Sequence, residues 1–210
     1  MLPIDSHNPS TRSNRLPFCN FVEKGIREIL GEIQWSKVSQ DLNRDRQVPP
    51  GKSHPENQFP ELGKIIQRIG EVFGEEAGFG LAQRAGGASF KYFLTEYANQ
   101  LNLTSLEMRT KPLQSRLRDG LRSISACLSK ELGITASFEE MKSELRWKVA
   151  GCSECTQRES VDSICFFTVG LIQEFLSWSA GSKFFPVEEI ACSARGDPEC
   201  EFRIGLLPLD

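Results

Sequence analysis

The sequence predicts an α+β fold: helices packed on a twisted antiparallel sheet, with a helical N-terminal half and a strand-helix-hairpin C-terminal half. Three observations predict it. Apolar residues recur at helical spacing in several segments before residue 133. The period then drops to two in "ELRWKVA", where Leu145, Trp147 and Val149 alternate with Glu144, Arg146 and Lys148. A last apolar helix is followed by two β-like segments joined through Gly196-Asp197-Pro198. Helices first and strands later is the order of an α+β domain.

The elements follow in order. Residues 1–16, rich in Ser, Asn and Pro, read as a flexible tail before a single domain spanning 17–208. "NFVEKGIREILGEI" is a helix, with Phe21, Val22, Ile26, Ile29, Leu30 and Ile33 on one stripe. Residues 43–60 hold four prolines and no apolar period, which makes them a long loop. Leu62, Ile65, Ile66, Ile69 and Phe73 mark a second helix that Pro60 suits as an opening residue. "GFGLAQRAGGASFKYFLTEYANQL" is a glycine-containing helix, and its glycines permit close helix approach or a break. Leu113, Leu117, Leu121, Ile124, Leu128 and Leu132 form the clearest stripe, with Gly133 as its stop. "TASFEEM" is the hairpin partner expected for "ELRWKVA". A final helix over 160–181, with Ser160 as N-cap and Gly181 as its stop, is apolar over most of its surface and so is buried.

Composition narrows the function. The 210 residues carry a net charge of -3, with 39% hydrophobic and 25% charged residues. No basic excess points to nucleic acid as a direct partner. No apolar run is long enough to span a membrane, and the N-terminus has no apolar signal-peptide core, so the expected location is the cytoplasm. Seven cysteines are many for that compartment, and an odd number suits a disulfide framework poorly.

Five of the seven lie in the last third. Cys152 and Cys155 form a C-x-x-C, a spacing that serves one zinc ion or redox chemistry. Cys192 and Cys200 flank the Gly-Asp-Pro turn, and Cys165 opens the last helix. Cys127 lies beside the apolar stripe of its helix and reads as a buried, inert thiol. His7 and His54 both fall in loop-like stretches, so sulfur with a carboxylate is the expected donor set. Strand parity places Glu188 on the face of Cys192; Glu189 reaches that face only if the strand bulges.

The run "CFFTVGLIQEFLSWSAGSKFFPVEEIACSARGDPECEFRI" resembles the C-terminal half of the 4-vinyl reductase domain family. The matching positions are Cys165, Gly170, Gly181, Val187, Glu189, Cys192, Gly196, Asp197, Pro198, Cys200 and Phe202. The N-terminal half resembles the family in layout alone. The family is similar in fold to Golgi transport-particle subunits and haem-based nitric oxide sensor domains, and most members bind small molecules. In its phenol sensors a cysteine, a glutamate and two further cysteines hold a structural zinc. The resemblance therefore implies a zinc cofactor on Cys165, Glu189, Cys192 and Cys200, with Cys152 and Cys155 as alternate ligands, and favours Glu189 over Glu188. It also implies a homodimer.

A hydrophobic, aromatic or tetrapyrrole ligand is expected between the buried helices and the apolar sheet face, against Phe90, Phe93, Trp147 and Phe166. The leading reading is a non-catalytic binding or sensing domain. A second is an accessory factor or reductase in (bacterio)chlorophyll vinyl reduction, although no dinucleotide fingerprint occurs. A third is a dimeric adaptor.

Overall fold

The computed structural model describes residues 17–44, 61–132 and 134–209. The expected tail at 1–16 lies outside these residues, as does all of the 43–60 loop except Asn43 and Arg44, which end the first helix. Helix α1 (Pro17–Arg44) buries Phe21, Val22 and Ile26 as its spacing requires. Gly31 then takes φ 72, outside the helical region, and the turn that follows is rotated. This places Ile33 in solvent, 75% exposed, and corrects its assignment to the apolar stripe. Helix α2 (Glu61–Phe73) buries Leu62, Ile65, Ile66 and Ile69.

Helix α3 (Glu75–Glu96) is the centre of the helical layer, followed by the short helices α4 (Ala98–Leu101) and α5 (Leu106–Thr110). The first turn of α5 is capped by Ser105, whose hydroxyl accepts from the Met108 N–H at 3.1 Å. Helix α6 (Leu113–Leu132) turns Leu117, Leu121, Ile124 and Leu128 inward. Cys127 is buried beside that stripe.

Strands β1 (Thr135–Glu140) and β2 (Glu144–Ala150) pair antiparallel, with Phe138 opposite Trp147. After helix α7 (Phe166–Ser179) come β3 (Val187–Ala191), a 3-10 turn at Ser193–Arg195 and β4 (Cys200–Gly205). The sheet order is β1-β2-β4-β3, all antiparallel. One face buries Leu145, Trp147, Val149, Cys200, Phe202 and Ile204. The other carries charges, including an Arg146–Glu201 pair at 3.3 Å. Alternation in β2 therefore reads directly as core and solvent.

Helix α7 begins later than its sequence suggests. Ser160 does not cap it; the N-cap position belongs to Cys165, and Ser160 instead accepts from the Asp162 N–H in a local turn. The helix packs on α3 at glycines. A Cβ added at Gly86 would lie 1.9 Å from the Phe167 carbonyl oxygen, and one at Gly170 would lie 1.9 Å from that of Gln83. Both obstacles are backbone, so neither can move aside without separating the helices. Gly170→Ala is expected to cost about 3 kcal/mol despite alanine's better helix propensity, because overpacking outweighs it. Urea unfolding of the purified variant measures this; a midpoint equal to that of the wild type would show that the crossing tolerates a methyl group.

Candidate metal centre and ligand cavity

Five thiols and one carboxylate meet where three stretches of chain come together. The first is the turn after β2, closed by the Cys155 N–H donating to the Cys152 carbonyl at 3.2 Å. The second is the start of α7 at Cys165. The third is the β3–β4 hairpin carrying Cys192 and Cys200. The Sγ of Cys155 lies 3.3 Å from that of Cys165, 3.5 Å from that of Cys192 and 3.4 Å from that of Cys200. The Cys165 and Cys200 sulfurs are 3.8 Å apart, and Cys152 lies 3.5 Å from Cys165. The donor atoms of Cys155, Cys165, Glu189, Cys192 and Cys200 all fall within 4.8 Å of one another. Cys165, Cys192 and Cys200 are fully buried.

The hairpin reaches this point through a bulge. Glu189 pairs with Phe202, while Ala191 pairs with Glu201, so the register shifts by one residue between them. The extra residue turns Glu189 toward the thiols. Glu188 stays outside, paired with Arg203. One oxygen of Glu189, Oε2, accepts from the Cys165 N–H at 2.8 Å. The other, Oε1, is buried and has no hydrogen-bond partner. Asp197 closes the turn by accepting from the Cys192 N–H at 2.8 Å, and Arg195 holds that carboxylate at 2.9 Å.

The protonation pattern follows from crowding. Hydrogen bonding within the cluster, led by Cys152, pushes the thiols of Cys155 and Cys165 up. Hydrogen bonds to Cys155 and Cys165 pull Cys192 down to about 5, and those from Cys152, Cys155 and Cys165 pull Cys200 down. Burial pushes Glu189 up to about 8. Adjacent anions cannot all ionise without a cation between them, so protons are shared among the sulfurs. A bound divalent ion would let four donors ionise together. The sulfur separations are close to the edge of a tetrahedron with metal–sulfur bonds near 2.3 Å, which is about 3.8 Å.

Glu154, between Cys152 and Cys155, is a functional residue that sequence reasoning missed. It is fully buried, and burial pushes it up to about 7. Its two oxygens accept from the N–H groups of Phe167 at 3.0 Å and Thr168 at 2.9 Å. The carboxylate thus caps α7 from another segment, where Cys165 supplies no side-chain cap. The available signal was an acid between the two cysteines of "CSEC", shortly before an apolar helix.

An apolar cavity lies beside the thiols. It is lined by Leu62 of α2, Leu128 of α6, Trp147 and Val149 of β2, Phe167 and Leu171 of α7, and Phe202 of β4, with Cys152 and Thr168 toward the cluster. Its void space is about 430 Å³, of which about 30 Å³ is open to a water-sized sphere. Trp147 therefore stands where the expected ligand site is, and its indole N–H donates to Ser125 at 3.1 Å. The other three expected residues are placed elsewhere. Phe90 packs on Phe175 and Trp178, Phe93 on Phe21 and Tyr97, and Phe166 stacks on Phe79 at 4.5 Å. The helical rotation at the start of α7 explains the last case, since the next residue, Phe167, is the one that faces inward.

Glu154→Ala is expected to lower stability by about 2 kcal/mol, through the lost cap and two N–H groups left without an acceptor. Chemical denaturation measures the loss. An unchanged midpoint would mean that water or another carboxylate caps α7.

The family model of the 4-vinyl reductase domain matches residues 145–206. No curated protein sequence matches the chain. Among solved structures, the fold is similar to that of an H-NOX protein from S. oneidensis in the Fe(II)NO state. That match has 10% identity and a TM-score of 0.56, covering 88% of this chain and 96% of that one. Another H-NOX structure, from a study of heme distortion, is 14% identical with a TM-score of 0.58, covering 93% and 96%. The phenol-responsive sensory domain of the transcription activator PoxR, with phenol, is 16% identical with a TM-score of 0.52, covering 82% and 89%. Residues 145–206, from β2 to the end of the β3–β4 hairpin and including all six donors of the cluster, are a 4-vinyl reductase domain.

Proposed function

We propose that this protein is a small-molecule-binding sensor domain whose C-terminal half is held together by a structural zinc ion. The observation that carries the ligand reading is the apolar cavity enclosed by α2, α6, α7 and the sheet face. Apolar walls with a single polar rim suit a compact hydrophobic or aromatic molecule. The phenol bound by PoxR is a ligand of that kind. The haem of the H-NOX neighbours is a poorer fit. Free space of about 30 Å³ holds one or two waters, and a macrocycle requires the helices to part from the sheet. The same argument weighs against a vinyl tetrapyrrole and hence against a role in its reduction.

The donor set fits zinc. Buried thiols at tetrahedral spacing suit a closed structural site, and a buried carboxylate oxygen with no partner faces the same point. Cys165, Cys192 and Cys200 supply three donors, and the fourth comes from Glu189 or Cys155. When bound, zinc contributes folding free energy by joining segments that are far apart in sequence. Cys165 anchors α7, and the hairpin thiols anchor the edge of the sheet.

Two outcomes follow. Simple phenols are expected to bind with a change in tryptophan fluorescence, and Leu128→Phe, which fills the void, to weaken binding at least tenfold, or about 1.4 kcal/mol. Calorimetry with phenol and with a saturated alcohol of equal size tests this. Equal affinity in wild type and variant would remove the cavity from consideration. Chelation is expected to lower the unfolding temperature and make the buried thiols reactive toward an aromatic disulfide reagent; acidification is expected to release the metal, because thiols must deprotonate to bind. Metal analysis showing no zinc in protein purified without chelator would overturn the clip.

A further inference from the structure

Six donor groups converge on one point, and a tetrahedral ion takes four. Building on the zinc reading above, we infer that the metal shell of this chain is four thiolates, from Cys155, Cys165, Cys192 and Cys200. Cys155 takes the position that the family resemblance gives to Glu189.

The geometry separates the two competitors for the fourth position. Cys155 is the one thiol in close contact with all three fixed donors, at 3.3, 3.5 and 3.4 Å. These are three edges of one tetrahedron, and the 3.8 Å contact of Cys165 with Cys200 is a fourth. Glu189 is tied down differently. Its Oε2 is held by the Cys165 N–H at 2.8 Å, which draws the carboxylate over the backbone at the start of α7. Its side chain is also only half-buried, whereas Cys155 is 7% exposed and Cys192 and Cys200 are fully buried.

Local backbone also prepares Cys155. The Cys152–Cys155 turn is closed by its own N–H bond, and the Cys155 carbonyl accepts from the Arg158 N–H at 3.0 Å. The chain around the thiol is thus fixed before a metal arrives. Cys200 is prepared as well, because the Ser193 N–H donates to its sulfur at 3.3 Å, an arrangement that favours a thiolate. Glu189 then acts as a positioning residue, aligning Cys165 through its N–H. Cys152 remains a fifth thiol outside the shell, 3.5 Å from Cys165 and at the wall of the ligand cavity.

The test uses full-length protein loaded with Co²⁺, whose sulfur-to-metal charge-transfer bands report the number of thiolates, and X-ray absorption of the zinc form. The wild type is expected to show four sulfur neighbours at about 2.3 Å and no oxygen neighbour. Glu189→Gln and Cys152→Ser are expected to keep the Co²⁺ spectrum. Cys155→Ser is expected to lose about one quarter of the charge-transfer intensity and to shift the ligand-field bands to higher energy, as one of four thiolates is replaced. Three sulfurs and one oxygen in the wild type, or a spectrum changed by Glu189→Gln and unchanged by Cys155→Ser, would overturn the all-thiolate shell and leave the zinc clip standing. Wild-type protein that binds neither metal would overturn the clip itself. The absorption measurement needs no variant, so misfolding of Cys155→Ser does not block the test.

Discussion

Packing five sulfur atoms into one buried point is the constraint on which the C-terminal half depends. Apolar burial does not explain it, because thiols in contact lose favourable hydration and crowd each other's ionisation. The arrangement becomes favourable once a cation sits among the sulfurs, since each thiolate then faces opposite charge rather than like charge. Three chain segments must arrive together for this to happen. The C-x-x-C turn leaves the end of β2, Cys165 lies at the mouth of α7, and the hairpin returns along β4. Neighbouring features serve that meeting. Glu154 holds the first turn of α7, Asp197 closes the Gly-Asp-Pro turn, and the bulge in β3 re-aims the edge strand.

Helix α7 connects the thiol cluster to the rest of the molecule. Its first turn contacts the metal-binding point, its inward face lines the apolar cavity through Phe167 and Leu171, and its glycine face is locked against α3. Movement of this helix away from the sheet would open the cavity. The same movement would pull Cys165 away from Cys192 and Cys200. Cavity size and thiol geometry are therefore coupled through one rigid element, and a ligand larger than the present free space acts on both. A ligand that fits without moving α7 has no differential interaction with two states and cannot signal through it.

Much of this was legible in the sequence, and the exceptions have physical reasons. The α+β class, the helical stripes of α2 and α6 and the wet and dry faces of β2 follow from periodicity, because burial here is one-sided. The convergence of Cys165, Glu189, Cys192 and Cys200 followed from resemblance, and regular strand geometry alone pointed to Glu188. A bulge inserts one residue and inverts that parity, and no local pattern in "VEEIAC" announces it. Ile33 was misplaced because a glycine inside a helical pattern does not say whether it bends the helix or merely weakens it. Phe90 and Phe93 are buried as expected, but burial does not distinguish a core aromatic from one that lines a cavity. Glu154 was missed because it caps a helix that starts 12 residues later, a tertiary contact with no sequence period.

The choice of fourth donor is not a matter of charge. Three thiolates with a carboxylate and four thiolates both leave a divalent ion with the same net charge, so electrostatics at a distance cannot select between them. Selection falls to reach, softness and competing partners. A carboxylate is hard and is already engaged by a backbone N–H, whereas a thiolate on a closed turn is soft and, among the described residues, has its closest contacts with the other sulfurs. Releasing Glu189 to bind metal would leave the Cys165 N–H at the mouth of α7 without its acceptor. Recruiting Cys155 leaves every one of these hydrogen bonds in place. The all-thiolate shell is thus the arrangement that satisfies both the ion and the start of α7.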